Sequence, residues 1–213
     1  MLNKNETQVL DNFVVLEGLD GAGTTTQLQL IEEKLTELSI PHLCTFEPTD
    51  GTIGRVIRSI LKGKIEAQAD TIALLFAADR HEHIYNPEEG LAAHLARGRV
   101  VVCDRYLFSS LAYQGSICDF NRVLSLNNNF PLPRHLIFLD TPIALSQQRL
   151  GKRKKRELFD LRDLQPQVLA GYLKSFKLYE NLGMELHRLK GSRKPDEIFK
   201  ELWSIIASLP IVK

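Results

Sequence analysis

The sequence has few cysteines, no long apolar run and no excess of charge, and each absence excludes a class of protein. Three cysteines in 213 residues (Cys44, Cys103 and Cys118) are too few and too scattered for a disulfide framework or a zinc site. No apolar stretch approaches the roughly 18 residues that cross a bilayer. The N-terminal sequence MLNKNETQVLDN is polar, so we expect neither a signal peptide nor a membrane anchor. With a net charge of +1, the composition indicates a cytoplasmic protein that binds neither nucleic acid nor membranes.

Short apolar runs alternate with longer helical patterns, and this alternation predicts a single α/β domain, residues 1–213. A hydrophobic content of 44% supports one sizeable core. The predicted strands are at residues 13–17, 42–46, 99–103, 135–139 and 185–189. The predicted helices are at residues 24–38, 54–61, 67–85, 88–97, 142–150, 163–181 and 195–208. Because FVVL, VVVC and LIFL suit strands that are buried on both faces, we expect a five-stranded parallel sheet with helices on both faces.

Acidic residues stand at or just past the ends of four predicted strands: Glu17, Glu47, Asp104 and Asp140. In an open parallel sheet, the carboxyl ends of the strands meet at one edge, and ligands bind there. The sequence therefore predicts a ligand site at this edge.

The stretch FVVLEGLDGAGTTTQL, residues 13–28, has the layout of a phosphate-binding P-loop. In the pattern G-x-x-x-x-G-K-[ST], the glycines correspond to Gly18 and Gly23 and the hydroxyl position to Thr25, which would bind Mg²⁺. Backbone N–H groups and the following helix N-terminus would hold phosphates. The lysine of the pattern is missing, and Thr24 stands in its place. The alternative is a glycine turn that merely joins a strand to a helix.

The segment VVVCDRY, residues 100–106, carries a second candidate group. Asp104 at the end of an apolar strand would hold Mg²⁺ or its water shell, and Arg105 would offer a planar fork to a phosphate. The alternative for these two residues is a plain surface ion pair.

Together, five segments resemble the motifs of the thymidylate kinase family, in the family's order. They are EGLDGAG (17–23), EPTDGTIGRVIR (47–58), LLFAADR (74–80), DRY followed by SSLAYQG (104–115), and a basic segment before LFD (152–160). The resemblance implies the fold of P-loop nucleoside monophosphate kinases, with a short lid at about residues 150–162. It also implies transfer of the γ-phosphoryl group of ATP to dTMP in dTTP synthesis, with Mg²⁺ as cofactor, and a homodimer.

For the thymine base and the sugar, the resemblance implies five contacts. Phe76 would stack on the base, and Arg80, one helical turn later, would donate to its edge. Gln114 would recognise the polar edge with help from Ser110, because an amide both donates and accepts. Tyr113 would crowd the sugar C2′ and disfavour a ribose. The alternatives are a core phenylalanine with a solvated arginine, and simple packing for Tyr113.

For the phosphate of dTMP, the resemblance implies a clamp made by Arg58 and Arg105. Asp20 would bind the deoxyribose 3′-hydroxyl or orient the acceptor, and Glu47 would contribute on the acceptor side. Without the resemblance, Arg58 would be a surface charge on an amphipathic helix.

The ATP side would be formed by the P-loop and by an arginine that packs on the adenine. These residues are Gly18, Asp20, Gly21, Ala22, Gly23, Thr24, Thr25, Thr26 and Arg149. Asp20 is followed by Gly21, so the P-loop lacks the arginine that some family members carry there. The catalytic charge must then come from Arg153 or Arg156 of the lid, which together with Asp20 and Arg105 complete the predicted catalytic set.

The five consecutive basic residues at 152–156 and the missing lysine leave other interpretations open. A basic run also suits a solvated loop or a nucleic-acid patch, although the near-zero net charge argues against the latter. Threonine at position 24 is compatible with an active kinase whose charge comes from elsewhere, which we favour, or with a nucleotide-binding protein of weak activity. A kinase of another nucleoside monophosphate is a further alternative.

Overall fold

A five-stranded parallel sheet forms the centre of the protein, which a computed structural model describes at residues 8–151 and 164–212. The strands are β1 (Val9–Gly18), β2 (His42–Phe46), β3 (Val100–Asp104), β4 (Leu132–Asp140) and β5 (Glu185–Lys190). Their order is β2-β3-β1-β4-β5, and every neighbouring pair is parallel. The predicted sheet is thus confirmed.

Helices cover both faces because side chains of the strands alternate between two apolar layers. Val14 and Leu16 of β1 pack on one side, where the helices are α1 (Thr24–Glu37) and α9 (Pro195–Ile206). Phe13 and Val15 pack on the other side. The helices there are α2 (Thr52–Leu61), α3 (Ala69–Tyr85), α4 (Leu91–Ala96), α5 (Leu107–Tyr113), α6 (Phe120–Asn127) and α8 (Gln165–Tyr179). Helix α7 (Ile143–Leu150) follows β4.

The structure contains two helices that the sequence patterns did not predict, α5 and α6. Every residue of α5 is buried, so this helix has no polar face and no apolar periodicity that would reveal it. The sequence does contain a start signal for α6, an aspartate at the N-cap position. The carboxylate of Asp119 caps this helix by accepting a 2.9 Å hydrogen bond from the amide of Arg122.

Two strands begin earlier than predicted. Strand β1 starts at Val9, and its pairing with β4 shifts register between Leu10 and Val14, which breaks the simple pattern. Strand β4 starts at Leu132 and includes Pro133, which argues against a strand in sequence reasoning. Within residues 8–151 and 164–212, no helix combines the length and the apolar character that crossing a membrane requires.

Candidate active site

A cavity of about 680 Å³ opens at the carboxyl ends of β1, β2 and β3, where the sequence predicted a ligand site. Its volume lies within the roughly 300–1,000 Å³ of small-molecule sites. It brings together residues of the first four motifs and of α7, whereas the fifth motif lies outside the described residues. The predicted residues that line it are Asp20, Gly21, Ala22, Gly23, Thr24, Thr25, Thr26, Glu47, Arg58, Phe76, Arg80, Asp104, Arg105, Tyr113, Gln114 and Arg149. Gly18 and Ser110 do not line it, and Arg153 and Arg156 lie outside the described residues.

The turn between β1 and α1 has the backbone of a phosphate-binding loop. Gly21 and Gly23 adopt left-handed conformations, with φ of +85° and +106°, which side chains disfavour. A Cβ atom on Gly21 would also lie 2.6 Å from the carbonyl oxygen of Ser146. Helix α1 begins directly at Thr24, so its unpaired N–H groups and its positive dipole end face the cavity. Thr24 itself is buried, with 6% of its surface exposed.

Thr25 and Asp104 form the oxygen-rich part of the cavity. The hydroxyl of Thr25 donates a 2.8 Å hydrogen bond to Oδ2 of Asp104. The other carboxylate oxygen, Oδ1, is buried and has no hydrogen-bond partner among the described residues. A hydroxyl and a carboxylate with a spare buried oxygen are the ligands that Mg²⁺ prefers. These two residues therefore fit the cofactor that the sequence predicted.

Arg105 connects the end of β3 to the P-loop. Its guanidinium donates to Oδ1 of Asp20 at 2.6 Å and to the carbonyl oxygen of Gly18 at 3.2 Å. It also donates to the hydroxyls of Ser109 and Tyr172, at 3.2 and 3.3 Å. The backbone of Arg105 is left-handed, with φ of +74°, an uncommon conformation for a residue with a side chain. The strand end and the loop thus hold this cation in one place.

Glu17 holds together several elements around the cavity, whereas the sequence predicted it only as an acid at the end of a strand. It is completely buried behind the cavity and accepts hydrogen bonds from the amides of Tyr106 and Ser109 at 2.9 and 3.1 Å. The hydroxyls of Ser109 and Tyr172 donate to it at 2.6 and 2.8 Å. Burial raises the pKa of Glu17 to about 7, against the lowering effect of Arg105 and of these hydrogen bonds. One carboxyl group thereby joins β1, the loop after β3 and α8.

Phe76, Tyr113 and Gln114, which the sequence predicted for a base pocket, line the same cavity as the P-loop. The side-chain oxygen Oε1 of Gln114 is buried without a hydrogen-bond partner among the described residues, so it is available to a donor on a ligand. The hydroxyl of Tyr113 accepts a 3.0 Å hydrogen bond from the amide of Asp20, which links this pocket to the P-loop.

Arg80 is one of the most deeply buried side chains of the protein, at 1% exposure, and Glu47 holds it. Its Nε and Nη2 atoms donate to Oε2 of Glu47 at 2.9 and 2.6 Å. Nη2 also donates to the hydroxyl of Ser110 at 3.1 Å, and Nη1 donates to Asn127. The structure therefore places Ser110 behind Arg80 and outside the cavity, whereas the sequence predicted a direct role beside Gln114. His83 lies 3.0 Å from Oε1 of Glu47 and completes the cluster.

Two further arginines that the sequence predicted, Arg58 and Arg149, also line the cavity. Arg58 lies over the ring of Phe46, 5.1 Å from its centroid, and pairs with Asp50 at 3.2 Å. Its Nε atom is buried without a hydrogen-bond partner within the described part of the chain. Arg149 donates to the P-loop carbonyl oxygens of Gly21 and Ala22 at 3.3 and 3.0 Å. It thus brings a cation directly to the loop that lacks its lysine.

Sequence reasoning missed several residues that line the cavity. They are Gln27, Leu28, Phe46, Pro48, Leu61, Tyr106, Ser109, Arg193, Pro195 and Ile198. Arg193 follows β5 in a segment that matches no motif, so only the fold brings it to the site. In contrast, the strand-end acid Asp140 is absent from the lining and instead accepts a 2.6 Å hydrogen bond from Arg188.

Comparison with known proteins gives consistent matches. A sequence model of the thymidylate kinase family matches residues 16–201. A relative from Treponema pallidum (strain Nichols) is 39% identical over 175 residues, which cover 82% of this chain and 83% of the relative. A relative from Methanococcus aeolicus is 34% identical over 196 residues, 91% of this chain and 94% of its own. The first is named "Putative thymidylate kinase" and the second "Probable thymidylate kinase". The solved thymidylate kinase of Candida albicans has the same fold, with a TM-score of 0.76 at 21% identity over 94% of this chain and 93% of that one.

Proposed function

The chain belongs to the thymidylate kinase family, and we propose that it transfers the γ-phosphoryl group of ATP to dTMP, which gives dTDP and ADP for dTTP synthesis. The observation that carries this proposal is the single cavity that joins a P-loop to a pocket lined by Phe76, Tyr113 and Gln114. A phosphate-binding loop and aromatic and amide side chains in one cavity suit a donor triphosphate and an acceptor nucleotide.

In this proposal, the P-loop binds the phosphates of ATP through its backbone N–H groups and the N-terminus of α1. Phosphoryl transfer depends mainly on position and on neutralising the charge that develops. Arg105 is held by Asp20 and by the loop carbonyl of Gly18, so its cation is fixed before the substrates bind. We propose that Arg105 and Arg58 bind the phosphate of dTMP, and that Asp20 orients the acceptor at the sugar or phosphate.

We propose that Thr25 and Asp104 hold Mg²⁺, since Oδ1 of Asp104 is buried and unpartnered beside the hydroxyl of Thr25. When bound, the ion would neutralise charge on the phosphate oxygens of ATP. The chain's own part is to keep Asp104 at the end of β3 and Thr25 in the first turn of α1, which their 2.8 Å hydrogen bond does.

Thr24 cannot supply the charge of the missing lysine. We propose that the lid arginines Arg153 and Arg156 supply it, with Arg149 as a fixed cation at the P-loop that also packs on the adenine. Two contacts support the role of Arg149, its hydrogen bonds to the carbonyls of Gly21 and Ala22. The proposed enzyme is therefore active despite the substitution.

For the acceptor, we propose that Phe76 stacks on thymine while Gln114 and Arg80 contact its polar edge. Stacking of a base on an aromatic ring contributes about 1–3 kcal/mol. The unpartnered Oε1 of Gln114 supports this role, because a buried acceptor needs a donor from the ligand. Glu47 then acts through Arg80, whose guanidinium it fixes from two atoms.

The assembly and location follow from the same proposal. We propose a homodimer formed through the helices on the face of α2 and α3, where Val56 and Leu74 expose 38% and 47% of their surfaces. We propose a cytoplasmic location, which the free thiols of Cys44, Cys103 and Cys118 support. Light scattering of the purified protein would test the dimer.

A coupled assay of ADP release from ATP, Mg²⁺ and dTMP tests the function, and we expect steady-state turnover. The same assay with dUMP, dGMP and AMP tests the acceptor, and we expect dTMP to have the highest kcat/KM. Calorimetry of dTMP binding separates the alternatives. Intact binding without turnover would show a nucleotide-binding protein, and turnover of another acceptor in preference to dTMP would show a sister kinase.

A further inference from the structure

A cluster of two histidines and a glutamate lies on the sheet far from the cavity just described. His135 is on β4, and Glu185 and His187 are on the edge strand β5. His135 pairs in register with Glu185, and Ile137 pairs with His187. Since alternate residues of a strand point to the same side, the three side chains project from one face of the sheet. His135 is five residues before the carboxyl end of β4, or roughly 16 Å along the strand.

The ligand atoms of the three side chains lie close together. Nδ1 of His135 lies 3.1 Å from Nε2 of His187, and Oε2 of Glu185 lies 3.6 Å and 3.9 Å from these two nitrogens. The point equidistant from the three atoms, in their plane, is therefore about 2.1 Å from each. Zinc binds histidine nitrogen at about 2.0–2.1 Å and carboxylate oxygen at about 2.0–2.2 Å. We propose that His135, Glu185 and His187 bind a divalent transition metal ion of the Zn²⁺ type.

The three side chains differ in exposure. The rings of His135 and His187 are 7% and 26% exposed, so the nitrogen ligands are largely covered by the protein. The side chain of Glu185 is 58% exposed, which leaves it free to adjust and leaves room for water at the remaining coordination position. Nitrogen ligands select Zn²⁺, Co²⁺, Ni²⁺ or Cu²⁺ over Mg²⁺.

Another trio of possible ligands, Glu47, His83 and Cys103, is much less suited to a metal. Arg80 already neutralises Glu47 at 2.6 Å, and its buried guanidinium would repel a divalent cation. The thiol of Cys103 donates to the carbonyl oxygen of Arg105, and burial raises its pKa well above the ordinary value. This contrast leaves the β4–β5 cluster as the stronger site.

A bound ion would join the edge strand β5 to β4. Among the described strands, β5 has β4 as its one neighbour in the sheet, and Glu185 and His187 lie in its first half. A ligand that binds the folded state alone raises stability in proportion to the logarithm of its concentration over Kd. Zn²⁺ is therefore expected to raise Tm. An equal concentration of Mg²⁺ should not bind this site and so should not raise Tm through it.

The experiment uses the full chain, freed of metal by a chelator and kept in excess Mg²⁺. Calorimetric titration with Zn²⁺ should give one site per chain, and Co²⁺ should give the absorption bands of a nitrogen- and oxygen-ligated ion. His187→Ala should lower Zn²⁺ affinity by about 100-fold or more, because loss of an outer-shell partner alone costs roughly 10–100-fold. His81→Ala is the matched control: His81 is exposed on α3, outside the cluster, and the variant should bind Zn²⁺ like the parent protein.

Three outcomes would overturn the proposal. Absence of Zn²⁺ and Co²⁺ binding in the parent protein would show that the two rings form only a hydrogen bond. Binding that His187→Ala leaves unchanged would put the ion elsewhere, for example on a free cysteine thiol. Glu185→Gln is the second variant, for use if His187→Ala fails to fold. Glu185 is exposed, so this variant should fold, and its affinity for Zn²⁺ must also be lower than that of the parent protein. Unchanged Zn²⁺ affinity in Glu185→Gln would likewise contradict the site.

Discussion

The guanidinium of Arg105 donates a 2.6 Å hydrogen bond to the carboxylate of Asp20, and this contact joins the end of β3 to the P-loop. The two side chains are only 21% and 24% exposed and line the same cavity. A further hydrogen bond to the carbonyl oxygen of Gly18 fixes the guanidinium from a second direction. The planar fork of arginine is what makes contacts in several directions possible, and an ammonium group cannot reproduce them.

Arg105→Lys is therefore expected to lower kcat/KM for dTMP by about 10²–10³, the usual effect of losing one preorganised donor. Lysine keeps the positive charge and would have to adopt the same left-handed backbone conformation as Arg105. The variant therefore tests the planar shape of the guanidinium separately from its charge. Steady-state kinetics with dTMP measures the effect. Arg97→Lys is the control, since Arg97 follows α4 outside the cavity and should leave kcat/KM unchanged. Equal kinetics of Arg105→Lys and the parent protein would contradict a role for the fork.

The second prediction concerns the threonine at the lysine position of the P-loop. If other cations already neutralise the phosphates, a lysine at this position adds little, and Thr24→Lys should raise kcat by less than about tenfold. A rise of 10²–10³, the value of one preorganised donor, would show instead that the loss is poorly compensated. Thr24→Gln is the matched control, because it adds length without charge at this buried position. Comparing kcat of the two variants separates charge from crowding.

The third prediction concerns the basic lid, which lies outside the described residues. Arg153→Ala and Arg156→Ala should lower kcat more than they raise KM for dTMP, because a cation that acts on developing charge is needed mainly in the transition state. Lys154→Ala and Lys155→Ala, within the same run, are the controls and should change kcat little. Losses confined to KM in all four variants would show that the lid only binds the substrates.

The sequence predicted the sheet well because each central strand contains a short, continuous run of apolar residues. FVVL, VVVC and LIFL each mark a strand buried on both faces, and all three lie in the central strands β1, β3 and β4. The motifs also predicted most of the cavity lining, since strand ends and the loops after them are fixed by the topology. Local pattern thus determines which residues reach the edge of the sheet.

What the sequence did not predict depends on contacts between distant parts of the chain. Arg80 binds Ser110 together with Glu47, 33 positions before Arg80, and Asn127, 47 positions after it. These long-range contacts place Ser110 behind Arg80. The hydroxyl of Tyr172 reaches Glu17 across 155 positions, and no spacing or periodicity encodes that contact. Buried polar partners of this kind are set by three-dimensional packing, so they become visible only in the structure.

The fourth prediction concerns Gln114. Its Oε1 atom is buried without a partner among the described residues, so a donor on the bound base would satisfy it. Gln114→Leu keeps a similar volume but removes the acceptor, and leaves the donor of the base unpaired. We expect KM for dTMP to rise about tenfold or more, since an unpaired buried polar group costs about 1–3 kcal/mol. KM for ATP is the internal control and should stay constant. Parallel rises in both KM values would indicate a general structural defect.

The fifth prediction uses the buried carboxyl group of Glu17, whose pKa burial raises to about 7. As the pH rises from about 4.5 to about 7, the unfolded chain loses the proton of this group while the folded protein retains it. The unfolded state then binds fewer protons, so the contribution of Glu17 to stability falls over this window and is constant above it. At 1.36 kcal/mol per pKa unit, the total loss is about 3 kcal/mol.

Glu17→Gln keeps the shape of this side chain but cannot ionise. The free energy of unfolding of the parent protein minus that of Glu17→Gln should therefore fall by about 3 kcal/mol between roughly pH 4.5 and pH 8, as measured by urea denaturation. Tyr172→Phe removes a hydroxyl that donates to Glu17 at 2.8 Å and stabilises its ionised form, so it should move the same transition to higher pH. A difference that stays constant with pH, or that grows as the pH rises, would show that the pKa of Glu17 is not raised in the folded protein, so that this group is ionised at neutral pH. In that case the four donors around it, and not burial, would set its charge.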